Sequence, residues 1–306
     1  LVPVRIDWCA QLARVGEVLR EPPRFLRRGS SVDDTRTKML LLILLSLSIS
    51  VHAATFSDFR FVTPTGAHGM EIDTQHEGLL LADTFRSMGT EDSRIYRLTE
   101  SPAPRATGYS GQGISGISAV PGGYLVCDLN ASRVIQVTSS FEVIREWSVS
   151  HPWNAKVDQN GTPYAITHEG ELVRLLPSGK TRTVISGLDA PFDFAFTHQS
   201  DEVWISEQGK GLGAVSGWKI PPRGNGIRQI SSNYPWANPE GMVFFQDSIW
   251  VVDAERGELV EMGSDGSVES VFQGLGIPIL VKNDRGRLLV YSNQYRGRAA
   301  LLWLSP

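Results

Sequence analysis

Gly123-Tyr124-Leu125-Val126-Cys127-Asp128 is an apolar run closed by an aspartate, and the same arrangement returns at Ser248-Ile249-Trp250-Val251-Val252-Asp253. Fainter copies stand at Leu80-Leu81-Ala82-Asp83, Tyr164-Ala165-Ile166-Thr167, Trp204-Ile205-Ser206-Glu207 and Leu289-Val290-Tyr291-Ser292. They recur about every 40 to 46 residues, the period of one supersecondary unit repeated around a ring. Each copy follows another short apolar segment and a turn. In Val120-Pro121-Gly122-Gly123, Asp158-Gln159-Asn160-Gly161 and Asn283-Asp284-Arg285-Gly286, Gly, Asn and Asp supply the positive φ of tight hairpins. A third strand follows, as at 133–137, 172–175 or 259–262, and usually a fourth, as at 143–149, 181–185 or 268–272. Four short antiparallel strands per repeat make a propeller blade, so six repeats predict an all-β, six-bladed β-propeller. A sandwich would also show many short strands, but not six copies of one unit.

The last repeat has only three strands before the sequence runs out after 299–304. Its fourth is expected from 56–62, which precedes the first repeat and has no other partner. That pairing closes the ring with the N-terminal strand of the mature chain and removes an open sheet edge.

Upstream of the repeats, residues 1–38 contain Pro22-Pro23, scattered Arg and no sustained period, and read as a leader or upstream segment. Residues 39–53 read as a signal peptide. The apolar and Ser-containing run 40–51 is about twelve residues long, short of the ~20 that a spanning helix needs. It ends Val51-His52-Ala53-Ala54, and small residues at the last and third-last places predict cleavage after Ala53. The propeller then occupies 54–306, with a secreted or periplasmic location and no transmembrane segment after signal removal. Of Cys9 and Cys127 only the second survives cleavage, so no internal disulfide is expected, and Cys127 in its apolar run reads as a small buried hydrophobe.

The 306-residue chain is 41% hydrophobic with Gly 30 and Pro 17, a turn-rich composition with enough apolar surface for a core. A net charge of -4 offers no basic stripe for phosphates and argues against a nucleic-acid partner.

In a propeller the innermost strand of each blade begins at one face, and the loop between strands two and three returns to that face. The equivalent starting slots hold His68, Ser115, Trp153, Phe192, Glu240 and Ile279. The loops add Asp83 and Arg86, Asp128 and Asn130, His168 and Glu169, Glu207 and Gln208, Asp253 with Glu255 and Arg256, and Asn293 with Arg296. Two aromatic rings, a few titratable groups and a polar rim compose a ligand pocket. Trp153, Phe192, Ser115, Arg86 and Arg256 are its expected ligand-binding residues. The aspartates that end the second strands are expected to accept turn amides of their own blades. Asn154 and Asp193, one place beyond the slot, should point between blades on alternation. His68 and Glu240 have no evident structural duty and are the candidate catalytic pair.

The stretches 113–137 and 238–262, with Pro-x-Gly or its relic, an apolar pair, a turn, an apolar run and Asp, resemble NHL repeats. They are also similar to blades of the six-bladed SMP-30/gluconolactonase-like propellers. The resemblance covers 56–306. It implies one divalent cation such as calcium or zinc, held in the channel by Glu, Asn and Asp side chains. Glu240 is the matching oxygen donor here, Asn154 and Asp193 stand one residue out of place, and Trp153 and Phe192 fill slots where oxygen ligands are expected.

Two functions follow. One is a binding propeller that takes a small molecule or a protein partner at the channel mouth, with Trp153 and Phe192 stacking on it. The other is a metal-dependent hydrolase of lactones or esters, with the cation on Glu240, Asn154 and Asp193 and with His68 as base. The aromatic slots favour binding.

Overall fold

The six aspartate-type runs are the second strands of six four-stranded sheets. The computed structural model describes residues 50–53, 56–62, 67–73, 78–83, 93–99, 104–199, 201–209 and 212–304. Blade one is Ala67–Asp73, Gly78–Asp83, Ser93–Leu98 and Arg105–Gly111, and blade two is Ile114–Val120, Gly123–Asp128, Arg133–Thr138 and Val143–Ser148. Blade three comprises Pro152–Val157, Pro163–Thr167, Glu171–Leu175 and Thr181–Ser186. Blade four comprises Pro191–Phe196, Glu202–Glu207, Ala214–Lys219 and Ile227–Ser231. Blade five is Pro239–Phe245, Ser248–Asp253, Glu258–Met262 and Val268–Gln273. Blade six is Pro278–Asp284, Arg287–Tyr295 and Arg298–Leu304, completed by Phe56–Phe61.

That last pairing is antiparallel, from Phe56 opposite Leu304 to Phe61 opposite Ala300, so the N-terminal strand closes the ring as its lack of another partner implied. The first strand of each blade packs on that of the next, and blade six packs on blade one. Closure covers Arg298–Leu304, which would otherwise be an open edge able to template aggregation. Ser50–Ala53 runs parallel to Val268–Gln273 on the outer edge of blade five. The leader 1–38 and residues 39–49 of the expected signal lie outside the described residues.

The burial pattern explains the repeat. A second strand has a neighbouring blade on each face, so Gly123–Asp128 and Ser248–Asp253 are buried at every position. A continuous apolar run is what two buried faces require. Outer strands meet water, and Val143–Ser148 is exposed except at Trp147. The hairpin turns use the residues their geometry needs. Gly122, Gly161 and Gly286 have positive φ, and blade five manages the same turn with Gln246 at 52° and Asp247 at 63°.

Glycines set how closely blades approach. A Cβ on Gly116 would lie 2.7 Å from Asn154 Oδ1, and one on Gly241 would lie 2.6 Å from the Ile279 carbonyl oxygen. Serines also tie blade to blade: Ser115 Oγ donates to the Pro152 carbonyl at 2.8 Å and Ser206 Oγ to the Glu240 carbonyl at 2.7 Å. Cys127 is buried, and burial together with Asp128 pushes its thiol far above the ordinary range, as fits a packing residue.

Candidate functional site

All six first strands carry a pairing irregularity at the same end of the ring. Register jumps from Ala67 to Gly69, Ile114 to Gly116 and Pro152 to Asn154 in the first three blades. It jumps from Pro191 to Asp193, Pro239 to Met242 and Pro278 to Leu280 in the others. The skipped residues are His68, Ser115, Trp153, Phe192, Glu240 with Gly241, and Ile279. The equivalent slots are therefore six β-bulges, and a bulge re-aims the side chain it releases from the ladder.

Three of these side chains meet although their blades are far apart in sequence. The Trp153 ring centroid lies 5.3 Å from that of Phe192 and 5.5 Å from that of His68, and His68 lies 6.1 Å from Phe192. His168, from the loop after the second strand of blade three, packs edge-on to Trp153 at 4.6 Å. The rings are tilted or edge-to-face, arrangements that suit aromatic quadrupoles. Burial holds the His68 imidazole down to about 4, so it is neutral at physiological pH.

Glu240 completes the mouth from blade five. Its Oε1 accepts from Asn238 Nδ2 at 2.8 Å and from Gln208 Nε2 at 3.3 Å. Its Oε2 is buried and has no hydrogen-bond partner among the described residues, and the same holds for Trp153 Nε1. Burial, with a contribution from Asp253, pushes the Glu240 carboxyl up to about 8 against the pull of Asn238. Glu240 therefore carries its proton at neutral pH.

Other predicted site residues are occupied. Ser115 spends its hydroxyl on Pro152. Arg256 sits 3.8 Å from Asp253 and over the Tyr234 ring at 5.7 Å. Arg86 lies outside the described residues. Three of the acids that end the second strands tie down the chain entering their own blade. Asp128 accepts the Gln112 amide, Glu207 the Asp189 amide, and Asp253 the amides of Ala237 and Asn238. They hold the rim in place.

Asn154 and Asp193 fill the place that Gly116 and Gly241 keep open in their own blades, and they point between blades. Asn154 Nδ2 donates to Asp193 Oδ1 at 2.7 Å, and Asp193 Oδ2 accepts the Met242 amide at 2.9 Å. The Lys156 ammonium lies 2.7 Å from Asp193 Oδ1 and donates to Oδ2 at 2.8 Å, and it also donates to the Met242 carbonyl at 3.1 Å. These residues do not fit a divalent cation. The Asn154 amide nitrogen faces the carboxylate, and an ammonium already stands against both oxygens. A hard cation wants six or more oxygens, and no cluster of three His, Cys, Asp or Glu forms among the described residues.

Sequence reading missed Lys156 and Asn238. A lysine in the otherwise apolar start of a buried strand, Trp153-Asn154-Ala155-Lys156-Val157, was the available signal, since a buried ammonium requires a carboxylate nearby. Nothing comparable marked Asn238.

No family model matches the chain, and no curated protein matches it. Solved structures do resemble it. A gluconolactonase from Xanthomonas campestris superposes with TM-score 0.66 at 14% identity, over 83% of this chain and 92% of that one. The PQQ-bound aldose sugar dehydrogenase of Streptomyces coelicolor gives 0.63 at 13%, over 83% and 98%. Virginiamycin B lyase from Staphylococcus aureus gives 0.59 at 13%, over 78% and 83%. Likeness at this identity extends to the fold, a six-bladed propeller of gluconolactonase-like form, and these three activities differ from one another.

Proposed function

We propose that this propeller is an exported binding protein that takes a small ligand at the channel mouth, seated on Trp153, Phe192 and His68 beside Glu240. The carrying observation is that Trp153 Nε1 and Glu240 Oε2 are buried there without a hydrogen-bond partner among the described residues. A buried polar atom left unsatisfied costs about 1 to 3 kcal/mol, a cost that a ligand with matching groups removes. Export is supported by the short apolar run 40–51 and the small residues that follow it. Amino-terminal sequencing of the protein from an extracytoplasmic fraction tests that part, with Ala54 as the expected first residue.

Binding is tested by saturation-transfer NMR with a mixture of neutral sugars, aromatic acids and aryl amines. At least one class should give a signal that Trp153→Ala removes. Signals that Trp153→Ala leaves untouched would move the site elsewhere.

The hydrolase reading draws support from the shared fold and from Glu240 and His68 themselves. A carboxyl that keeps its proton to about 8 and an imidazole that stays neutral down to about 4, both released by first-strand bulges at the same end of the ring, have pKa values pushed apart in the manner of a general acid and base. The Lys156–Asp193 pair counts against its metal. Assays on simple lactones and aryl esters, with and without chelator and added calcium, separate the readings. Turnover lost in Glu240→Gln favours the hydrolase, and turnover abolished by chelator would restore the cation.

A further inference from the structure

Five buried acids of this molecule are set against cations, and Glu240 is buried with one oxygen that meets no partner among the described residues. Asp73 has Arg97 at 2.7 Å, Asp128 has Arg133 at 3.1 Å and Asp193 has Lys156 at 2.7 Å. Glu207 has Arg228 at 2.9 Å and Asp253 has Arg256 at 3.8 Å. These five carboxylates are matched by cations of the same chain, as the cost of burying charge demands, while the buried Asp158 accepts two turn amides and the buried Glu258 has both oxygens bonded, by Tyr234 and Gln273. Glu240 is just as buried, at 6% exposure, yet it has only two neutral amides on one oxygen and no Lys or Arg beside it among the described residues. Lys156, Arg228 and Arg256 are committed elsewhere, to Asp193, Glu207 and Asp253 in turn.

We infer that the missing counter-ion is the ligand: the mouth recognises a protonated amine joined to an apolar or aromatic body. The inference rests on the mouth being the binding site and names what it binds. An N–H of the ammonium reaches the open lone pairs of Glu240 Oε2, which a quaternary ammonium has no hydrogen to serve. The rings of Trp153, Phe192 and His68 present π faces and apolar area, which suit both the cation and its body. His68 is neutral and does not repel the charge. Trp153 Nε1 asks in addition for an acceptor on the ligand, such as a hydroxyl or carbonyl oxygen.

This arrangement links binding to a proton. The free carboxyl keeps its proton up to about 8 and loses it when an ammonium arrives, while an aliphatic amine stays charged, as lysine does to about 10.4. The other titratable groups around Glu240 do not follow this course. Asp253 holds backbone amides of its loop, Glu207 and Asp193 are paired with Arg228 and Lys156, and His68 and His168 are held below their ordinary range by burial. Binding near pH 7 should therefore release a proton to the buffer, and affinity should rise with pH and level off above about 8.

The test is calorimetric titration of the whole protein with tyramine, with tyrosol, its neutral alcohol counterpart, and with phenyltrimethylammonium. Tyramine should bind at least tenfold more tightly than either control. Its apparent heat at pH 7 should depend on the ionisation enthalpy of the buffer, a readout that needs no variant. Glu240→Gln should lose the tyramine preference and the buffer dependence while keeping a normal melt. Equal binding of tyramine and tyrosol, both abolished by Trp153→Ala, would overturn the charge recognition and leave the mouth as a site. Binding indifferent to Trp153→Ala and Glu240→Gln would overturn both readings, and no binding by any of the three would overturn this inference.

Discussion

The two ends of the channel are built from the same six strands and treat charge in opposite ways. Toward the far end, Lys156 is shared by Asp193 and the Met242 carbonyl, and Asn154 braces the same carboxylate. Lys282 meets Glu71 at 3.1 Å, and Arg97 and Tyr124 both serve Asp73. A cavity of about 370 Å³ opens there, lined by Lys156, Gln159, His198, Phe244 and Lys282 among others. Its two lysines are already neutralised by the chain's own acids. At the mouth, an indole nitrogen and a carboxylate oxygen are buried with no hydrogen-bond partner among the described residues. The difference teaches that burial alone does not mark a site. The informative feature is burial that the chain leaves uncompensated, since folding by itself selects against it.

The largest expected effect breaks the compensated end. Asp193→Asn strands the Lys156 ammonium and should cost about 3 to 5 kcal/mol, measured by urea denaturation near pH 7. Lys156→Met combined with Asp193→Asn should recover most of that loss, because removing both charges removes the mismatch. A double variant as unstable as the single one would show that the ion pair is not what the residues contribute.

A smaller effect compares two tryptophans. Trp250 is 1% exposed in the second strand of blade five, and Trp250→Ala should cost about 3 to 5 kcal/mol as a large-to-small change in a core. Trp153, at 9% exposure, also packs in the buried cluster but carries an unsatisfied nitrogen, whose removal offsets part of the loss. Trp153→Ala should therefore cost roughly 1 kcal/mol, near the centre of single-substitution effects. Equal losses would place Trp153 with the core.

The smallest effect, and the one most specific to the mouth, lies in the pH dependence of stability. Glu240 is raised from 4.5 to about 8 on folding, so its contribution is complete below 4.5 and is lost as pH rises through 8. His68 is lowered from 6.5 to about 4, so its contribution is complete above 6.5 and is lost as pH falls through 4. Between 4.5 and 6.5 the two slopes oppose each other. Denaturation at pH 5, 6.5 and 8.5 should show Glu240→Gln removing the alkaline fall and uncovering an acidic one between pH 6.5 and 5, and His68→Asn leaving a fall that runs from pH 5 to 8.5. An alkaline slope unchanged in Glu240→Gln would mean that its carboxyl is already compensated.

By itself the sequence determined the blades, their number and the strand that closes the ring. Second strands caught between two blades must be apolar along their whole length, hairpins with positive φ require Gly, Asn or Asp, and an unfinished blade requires a donor. Each of these is a local rule written at a fixed period. The sequence also marked the starting slots, and with them His68, Trp153, Phe192 and Glu240. Alternation along a strand does not tell which of these side chains meet, because the bulge at each slot breaks the alternation. The contact of His68 with Trp153 and Phe192, and the capture of Asp193 by Lys156 and Asn154, join residues from different blades. Both depend on how far each first strand leans toward its neighbour, a distance set by Gly116, Gly241 and the serine seams. Tertiary structure alone decided that Asp193 would receive an ammonium from its own chain and that Glu240 would receive none from the described residues, because a counter-charge acts through space and leaves no period in the sequence.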